Sequence, residues 1–279
     1  LRKISQNNLV KKFSLHIGQE VSLAFSYSDF LFGLILTYKL TKNDELLELA
    51  KSICNYIEKV FFSKDGEIYY ARKLRSSKAI KVIDSSNDFF SELYCEMYDI
   101  TLNKKYLEIA KGILNSSLNS KFFKKNNIVS SITKTEDFFS RILYNKLANK
   151  FILAKNNSGF ASSLLAIYQR SNIPLYKESY YNWVGGINSL KQRFGNTPFS
   201  WSTNSNCIST NLKNYSFIDS LIEGYLIFKD KDLLFQAEST ASETLGWQDP
   251  RTMLIKDSKE SSICFFDSNT DFAVSLIKL

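Results

Sequence analysis

The feature that most constrains this chain is a motif that it repeats. Tyr38-Lys-Leu-Thr-Lys-Asn-Asp-Glu-Leu-Leu-Glu-Leu-Ala50 lines up with Tyr98-Asp-Ile-Thr-Leu-Asn-Lys-Lys-Tyr-Leu-Glu-Ile-Ala110. A weaker copy begins at Tyr168, and a fourth, with a shortened turn, begins at Phe228. The four anchors lie 60, 70 and 60 residues apart. Self-similarity at a near-fixed period points to stacked copies of one supersecondary unit. Each copy reads alike: an apolar helix ends about one turn past an aromatic residue, polar residues such as Thr41 to Asp44 turn the chain, and an amphipathic helix follows. The unit is an αα-hairpin.

The first helix of each hairpin opens on an acidic residue followed by aromatics: Asp29-Phe30-Leu31, Asp88-Phe89-Phe90 and Asp137-Phe138-Phe139. Asp219-Ser-Leu-Ile-Glu223 and Asp271-Phe272-Ala273 are looser copies. The runs that follow, such as Phe30 to Leu36, are apolar nearly all round, which fits an inner layer covered on several sides. The second helices fit an outer layer. Short strand-like stretches, Gly66 to Arg72 with Ala79 to Ile83 above all, read as β-hairpins in the connectors. The expected fold is therefore all-α: an α/α toroid of five to six hairpins, as one domain over 1–279, possibly excised from a longer protein. Leu1 to Ile17 and Thr270 to Leu279 are expected as unpaired end helices that pack together and close the ring.

Composition agrees. Only 10 Gly and 3 Pro interrupt 279 residues, so helices with short connectors are favoured over an all-β fold. The net charge of +8 comes from scattered lysines and arginines. The short clusters Arg72 to Arg75 and Lys121 to Lys125 match no nucleic-acid-binding signature, so no nucleic-acid partner is expected. No apolar run reaches membrane-spanning length and no signal-peptide core is visible, so the expectation is a cytoplasmic chain without a membrane partner. Cys54, Cys95, Cys207 and Cys264 are far apart, as for buried free thiols.

The repeat resembles the six-hairpin glycosidase-like toroids, a group that includes unsaturated glucuronyl hydrolases, N-acylglucosamine epimerases and the toroid attached to thioredoxin-like domains. Asp88 to Tyr94 with Tyr106 to Ala110 carry the resemblance, and Ser216 to Phe228 looks like an inner helix of the thioredoxin-associated group. These are hairpin motifs, so the resemblance implies the fold, and function follows from it only by analogy.

Inner helices deliver their N-termini to one end of such a ring. Glycoside cleavage needs two carboxyl groups there, one protonated as acid and one ionised as base or nucleophile. Asp29, Asp88, Asp137, Asp219 and Glu223 are the candidates, with Glu92 behind them. The competing role of each aspartate is a helix cap or dipole partner, worth about 0.5–2 kcal/mol. Tyr70, Trp183, Arg193, Trp201 and Trp247 are candidates for substrate contact, because sugars stack on aromatic rings and the segment from Arg193 past Trp201 is the least helical; core packing is the alternative for the aromatics. His16 is the only histidine, which excludes an epimerase acid/base pair of histidines and argues against a His/Cys zinc site. No glycine-rich phosphate loop is present, so no cofactor is expected. The resulting expectation is a carbohydrate-active, glycoside hydrolase-like toroid acting on a glycan or other small molecule. The alternatives are a non-catalytic scaffold or glycan-binding toroid and a helical-repeat protein-binding module.

Overall fold

Four hairpin turns organise the molecule. A computed structural model describes residues 21–73, 79–136, 151–195, 200–202, 208–209, 215–257, 262–264 and 266–279. Helices α1 (Phe25–Thr41) and α2 (Asp44–Phe61) form the first hairpin, α3 (Phe89–Thr101) and α4 (Lys104–Asn119) the second. After a short α5 (Lys121–Asn126), the third pairs α6 (Ala154–Ser171) with α7 (Pro174–Phe194), and the fourth α8 (Tyr215–Phe228) with α9 (Lys231–Leu245). Helix α10 (Phe266–Lys278) follows alone.

Each turn is two residues long and built the same way. The residue after the first helix is left-handed: Lys42 (φ 56°), Leu102 (φ 57°), Asn172 (φ 53°) and Lys229 (φ 57°). Its backbone N–H donates to the carbonyl four residues back, on Tyr38, Tyr98, Tyr168 and Tyr225 at 2.7–2.8 Å. Tyr225, and not Phe228, is thus the structural equivalent of the other three anchors. The sequence alignment slipped there because the fourth turn lacks the hydroxyl residue of the others: Thr41, Thr101 and Ser171 each donate to a carbonyl one turn back and accept from the N–H two residues on. The second helices start on Asn43, Asn103 and Asp230, whose side chains accept from a backbone N–H at 3.0 Å. The third uses Pro174 in its first turn instead.

The first helices pack in sequence, α1 on α3, α3 on α6, α6 on α8 and α8 on α10, while each second helix packs on its own partner. This is the inner and outer layering of an α/α toroid. Helix α8 shows why the inner position suits its sequence: Phe217, Ile218, Ser220, Leu221, Ile222 and Gly224 are all buried around its circumference. In α2, Ala50, Cys54, Ile57 and Phe61 are buried on one face, as an outer helix requires. Helix α1 departs from expectation: Phe30, Phe32 and Leu36 are about half exposed, so its apolar run is not covered on all sides. One buried apolar cluster extends from Ala24 to Phe272. No described helix is long and apolar enough to cross a membrane.

The connectors hold two antiparallel sheets. Strands β1 (Val21–Leu23), β2 (Tyr69–Lys73), β3 (Ala79–Asp84) and β4 (Ile132–Thr135) form one in that order, and β5 (Phe151–Leu153), β6 (Ser200–Ser202) and β7 (Ile208–Ser209) the other. The expected hairpin of β2 and β3 is the centre of the first sheet. Near Met253 an isolated bridge joins Gln248 to Ile255, and Phe266 begins α10. The expected first helix, with His16, and Cys207 lie outside the described residues. Cys54 and Cys95 are buried free thiols and Cys264 is a partly exposed one.

Candidate functional site

Strand β3 ends on Asp84 and runs through a 3-10 turn, Ser85–Asp88, straight into inner helix α3. The turn therefore sits at the end of the ring where the inner helices begin. Asp84 accepts from the backbone N–H of Ser86 at 2.8 Å and from Asn156 Nδ2, in the first turn of α6, at 3.5 Å. Asn156 also donates to Ser85 Oγ at 2.9 Å. Burial pushes the Asp84 carboxyl up to about 6, although the residue is only half-buried. Tyr70, on β2, is close enough that Asp84 adds to the effect of burial in raising its phenol. On the same rim, Lys155 at the start of α6 lies 5.0 Å above the ring of Phe25 at the start of α1.

Beneath this rim, charged side chains from several inner helices share one space. Burial first, then Glu223 and Glu96, push Glu92 up to about 8, against the pull of Arg170 and Lys278. Those partners stand on α8, α3, α6 and α10. Lys39 of α1 joins them by pairing with Glu96, which Arg170 also meets at 3.3 Å. Glu92 thus feels charges from four consecutive inner helices, α3, α6, α8 and α10, which places it inside the ring. Glu223 is itself raised by burial and drawn back by the Ser162 hydroxyl, which donates to it at 2.7 Å. The interior thus places a protonated carboxyl, Glu92, near a second carboxylate whose hydrogen-bond donor favours ionisation. Both carboxyls are raised, Glu92 far enough to hold its proton at neutral pH, and such a pair can divide the roles of acid and base.

The sequence candidates occupy different places in the structure. Glu223 belongs to the interior cluster, with Glu92 as its counterpart. Asp219 is tied to α10, paired with Lys278 at 2.8 Å and accepting from Ser275 at 3.1 Å. Asp88 is sealed, at 1% exposure, and accepts from Ser117 Oγ at 2.6 Å. Its side chain makes no cap bond, so it is not the helix cap that its position suggests. Burial holds its carboxyl well above the usual range. Asp29 is exposed on α1. Asp137 and the side chain of Trp201 lie outside the described residues.

Tyr70 lies beside Asp84. Trp183 is fully buried and Trp247 nearly so, so both indoles are packed in the core instead of lining a mouth. Arg193 is exposed near the C-terminus of α7 and stacks at 5.1 Å on the ring of Phe194. Asp84 escaped the sequence reading because it ends a strand. Its Asp-Ser-Ser setting is a turn-capping signal that could have marked it.

One further acidic group needs accounting. Carboxylate oxygens of Asp65, Glu67 and Glu136 lie within 4.8 Å of one another, a spacing suited to a cation. Lys134 fills that role, with Nζ at 2.7, 2.9 and 3.7 Å from the three. Tyr69 donates its hydroxyl to Glu136 as well. The group staples the loop before β2 to β4.

Fold and carboxyl arrangement together define a carbohydrate-active α/α toroid of the glycoside hydrolase type. The sequence profile of glycosyl hydrolase family 76 matches residues 30–213, more than half of the chain, and the chain belongs to that family. No curated protein sequence matches it. Among solved structures, an α-mannanase of this family from Bacteroides thetaiotaomicron is similar with a TM-score of 0.66 and 16% identity, over 91% of this chain and 69% of that one. A sugar epimerase from a ruminal bacterium is similar with a TM-score of 0.69 and 14% identity, over 94% and 73%. An α-1,6-mannanase from Salegentibacter, made inactive by replacing two consecutive aspartates with alanine and bound to α-1,6-mannotetraose, is similar with a TM-score of 0.64 and 13% identity, over 92% and 74%.

Proposed function

We propose that this protein takes an α-mannan-type glycan at the end of the ring marked by Asp84 and Tyr70, and that Glu92 and Glu223 are its acid and base. The observation that carries the reading is that these two carboxyl groups inside the ring feel one another's charge, one of them held protonated near neutral pH. Glu92 would protonate the leaving glycosidic oxygen. Glu223, oriented by Ser162, would act on the opposite side of the anomeric carbon as base or nucleophile. Asp84 and Asn156 would bind sugar hydroxyls at the rim. The mannan substrate is drawn from the mannanase neighbours, and the single-domain organisation over 1–279 belongs to the same proposal.

A second reading is favoured by one observation: the chain contains no two consecutive aspartates anywhere. The pair whose loss inactivates the Salegentibacter enzyme therefore has no counterpart in the same form. On that reading the toroid binds the glycan without cleaving it.

One experiment separates the two. Incubation with α-1,6-mannotetraose and measurement of new reducing ends is expected to show turnover by the wild type. Glu92→Gln and Glu223→Gln are each expected to lower it by roughly 10²–10⁴-fold. Binding without any release of reducing ends sinks the catalytic assignment and establishes the second reading.

A further inference from the structure

A cavity of about 330 Å³ lies on the outer wall of the ring, between α7 and α9 and above α8. It is remote in kind from the carboxyl cluster, since no acidic residue lines it. Its volume falls at the small end of the range of about 300–1,000 Å³ for small-molecule sites. Aromatic side chains from three helices line it: Trp183, Phe217 and Phe235. Phe235 is 70% exposed, a large cost for a ring with no partner.

Three carboxamides, Asn188, Gln192 and Gln236, line the same cavity. None of their side chains is hydrogen-bonded among the described residues. Each offers one acceptor and two donors, the pattern that vicinal hydroxyls satisfy. The one cation of the lining, Lys191, is already engaged by Glu243 at 3.5 Å and Ser239 at 3.2 Å. The lining therefore presents aromatic surface and neutral polar groups without a free charge. An acidic ligand would find no unpaired cation, and a purely apolar one would strand three amides.

We infer that this cavity is a second, non-catalytic glycan-binding subsite, which stacks an uncharged pyranose on Phe235 and holds its hydroxyls with Asn188, Gln192 and Gln236. The inference rests on the reading of the protein as carbohydrate-active, but not on the roles of Glu92 and Glu223. A polymer held on the outer wall stays tethered to the ring while its end is handled at the mouth, which raises its effective concentration there.

The test is titration of the full chain with α-1,6-mannotetraose, followed by calorimetry and by the indole N–H resonance of Trp183, assigned through Trp183→Phe. The Trp183 resonance is expected to shift on addition of the oligosaccharide in the wild type and in Glu92→Gln. In Phe235→Ala and in the double variant Gln192→Ala with Gln236→Ala, the affinity of this site is expected to fall roughly five- to tenfold, with the resonance following. Phe235 and Gln192 are exposed and the half-buried Gln236 side chain makes no hydrogen bond among the described residues, so these variants are expected to keep the wild-type Tm, which is measured alongside. The inference is overturned if binding is unchanged in both outer-wall variants, or if the Trp183 resonance stays still at saturation. Loss of turnover in Glu92→Gln with the outer site intact bears only on the mouth. Saturation of the cavity by decanoate without competition from the oligosaccharide also overturns it.

Discussion

At the scale of single residues, the clearest constraint is Gly224, on inner helix α8. A methyl group there would overlap the hydroxyl of Tyr180 on the neighbouring outer helix. Tyr180 cannot step aside easily, because it is fully buried and donates to the carbonyl of Ser220 at 2.9 Å. Gly224→Ala is therefore expected to destabilise by about 1–3 kcal/mol, read as a lower midpoint in urea with an unchanged slope. Asp88 makes the opposite case. It is sealed beneath the rim, so it is expected to position the 3-10 turn and not to touch substrate. Asp88→Asn is expected to fold and to retain turnover within a few-fold. Asp88→Ala leaves the Ser117 hydroxyl without its acceptor and is expected to cost about 1–3 kcal/mol. Loss of all activity in a well-folded Asp88→Asn would return that residue to the catalytic set. Whether Trp183 and Trp247 face a mouth or a core could not be read from the sequence, since a tryptophan looks alike in either place; Trp183 lies in the middle of α7. Asp88 misled for a related reason: a helix start is visible in sequence, while the Ser117 that claims its side chain is 29 residues away.

At the scale of elements, the hairpin turns were the most legible part of the chain. Their determinants are local: a left-handed residue, a hydroxyl or carboxamide, and an amphipathic helix, all within a few positions. The fourth turn shows where that legibility ends. Without the hydroxyl, the sequence pattern aligns Phe228 where the structure places Tyr225. The turns also carry strain that is open to test. Leu102 is left-handed and 76% exposed, so its side chain contributes little packing. A left-handed conformation costs a branched residue about 1–2 kcal/mol, partly offset in glycine by a larger loss of freedom on folding. Leu102→Gly is expected to raise Tm by about 1–3 °C. Asn103→Ala removes the cap of α4 and is expected to cost about 1 kcal/mol. A thermal melt of both variants beside the wild type checks the pair.

At the scale of the whole molecule, the interior carboxyl groups tie stability to pH. Glu92 is raised to about 8 and Asp84 to about 6, each above the value it has in an unfolded chain. The folded protein thus holds protons that the unfolded chain releases. The sign follows directly: below about pH 4 both states are protonated at these groups and nothing is lost, and stability falls as pH rises from there towards 8. The slope from Glu92 is at most about 1.4 kcal/mol per pH unit. Glu92→Gln is expected to flatten the curve, making the variant more stable than the wild type at pH 8 while differing little near pH 4.5. Urea midpoints at the two pH values measure this, and a wild type that grows more stable towards pH 8 would contradict the assignment. Nothing in the sequence announced this cluster as a unit. Glu223 stood out beside Asp219, but its meeting with Glu92 depends on how the ring brings α3 and α8 together. That is a long-range fact, which local patterns do not encode.

The four turns have one further consequence, for where the chain can be interrupted. The first three are exposed, two residues long and bonded only to their own hairpins, while in the fourth Asp230 is half-buried and also accepts from Tyr181 of α7 at 3.0 Å. The ring, by contrast, is held by the faces of helices that lie on either side of the turn. A chain severed between Leu102 and Asn103 would lose the bond from the Asn103 N–H to Thr101 and be rid of a strained backbone, yet keep the Asn103 cap and every packing face of α3 and α4. Continuity of the polypeptide and continuity of the ring are thus separable. The same points serve as natural places for new ends, for inserted segments, or for two fragments that find each other again.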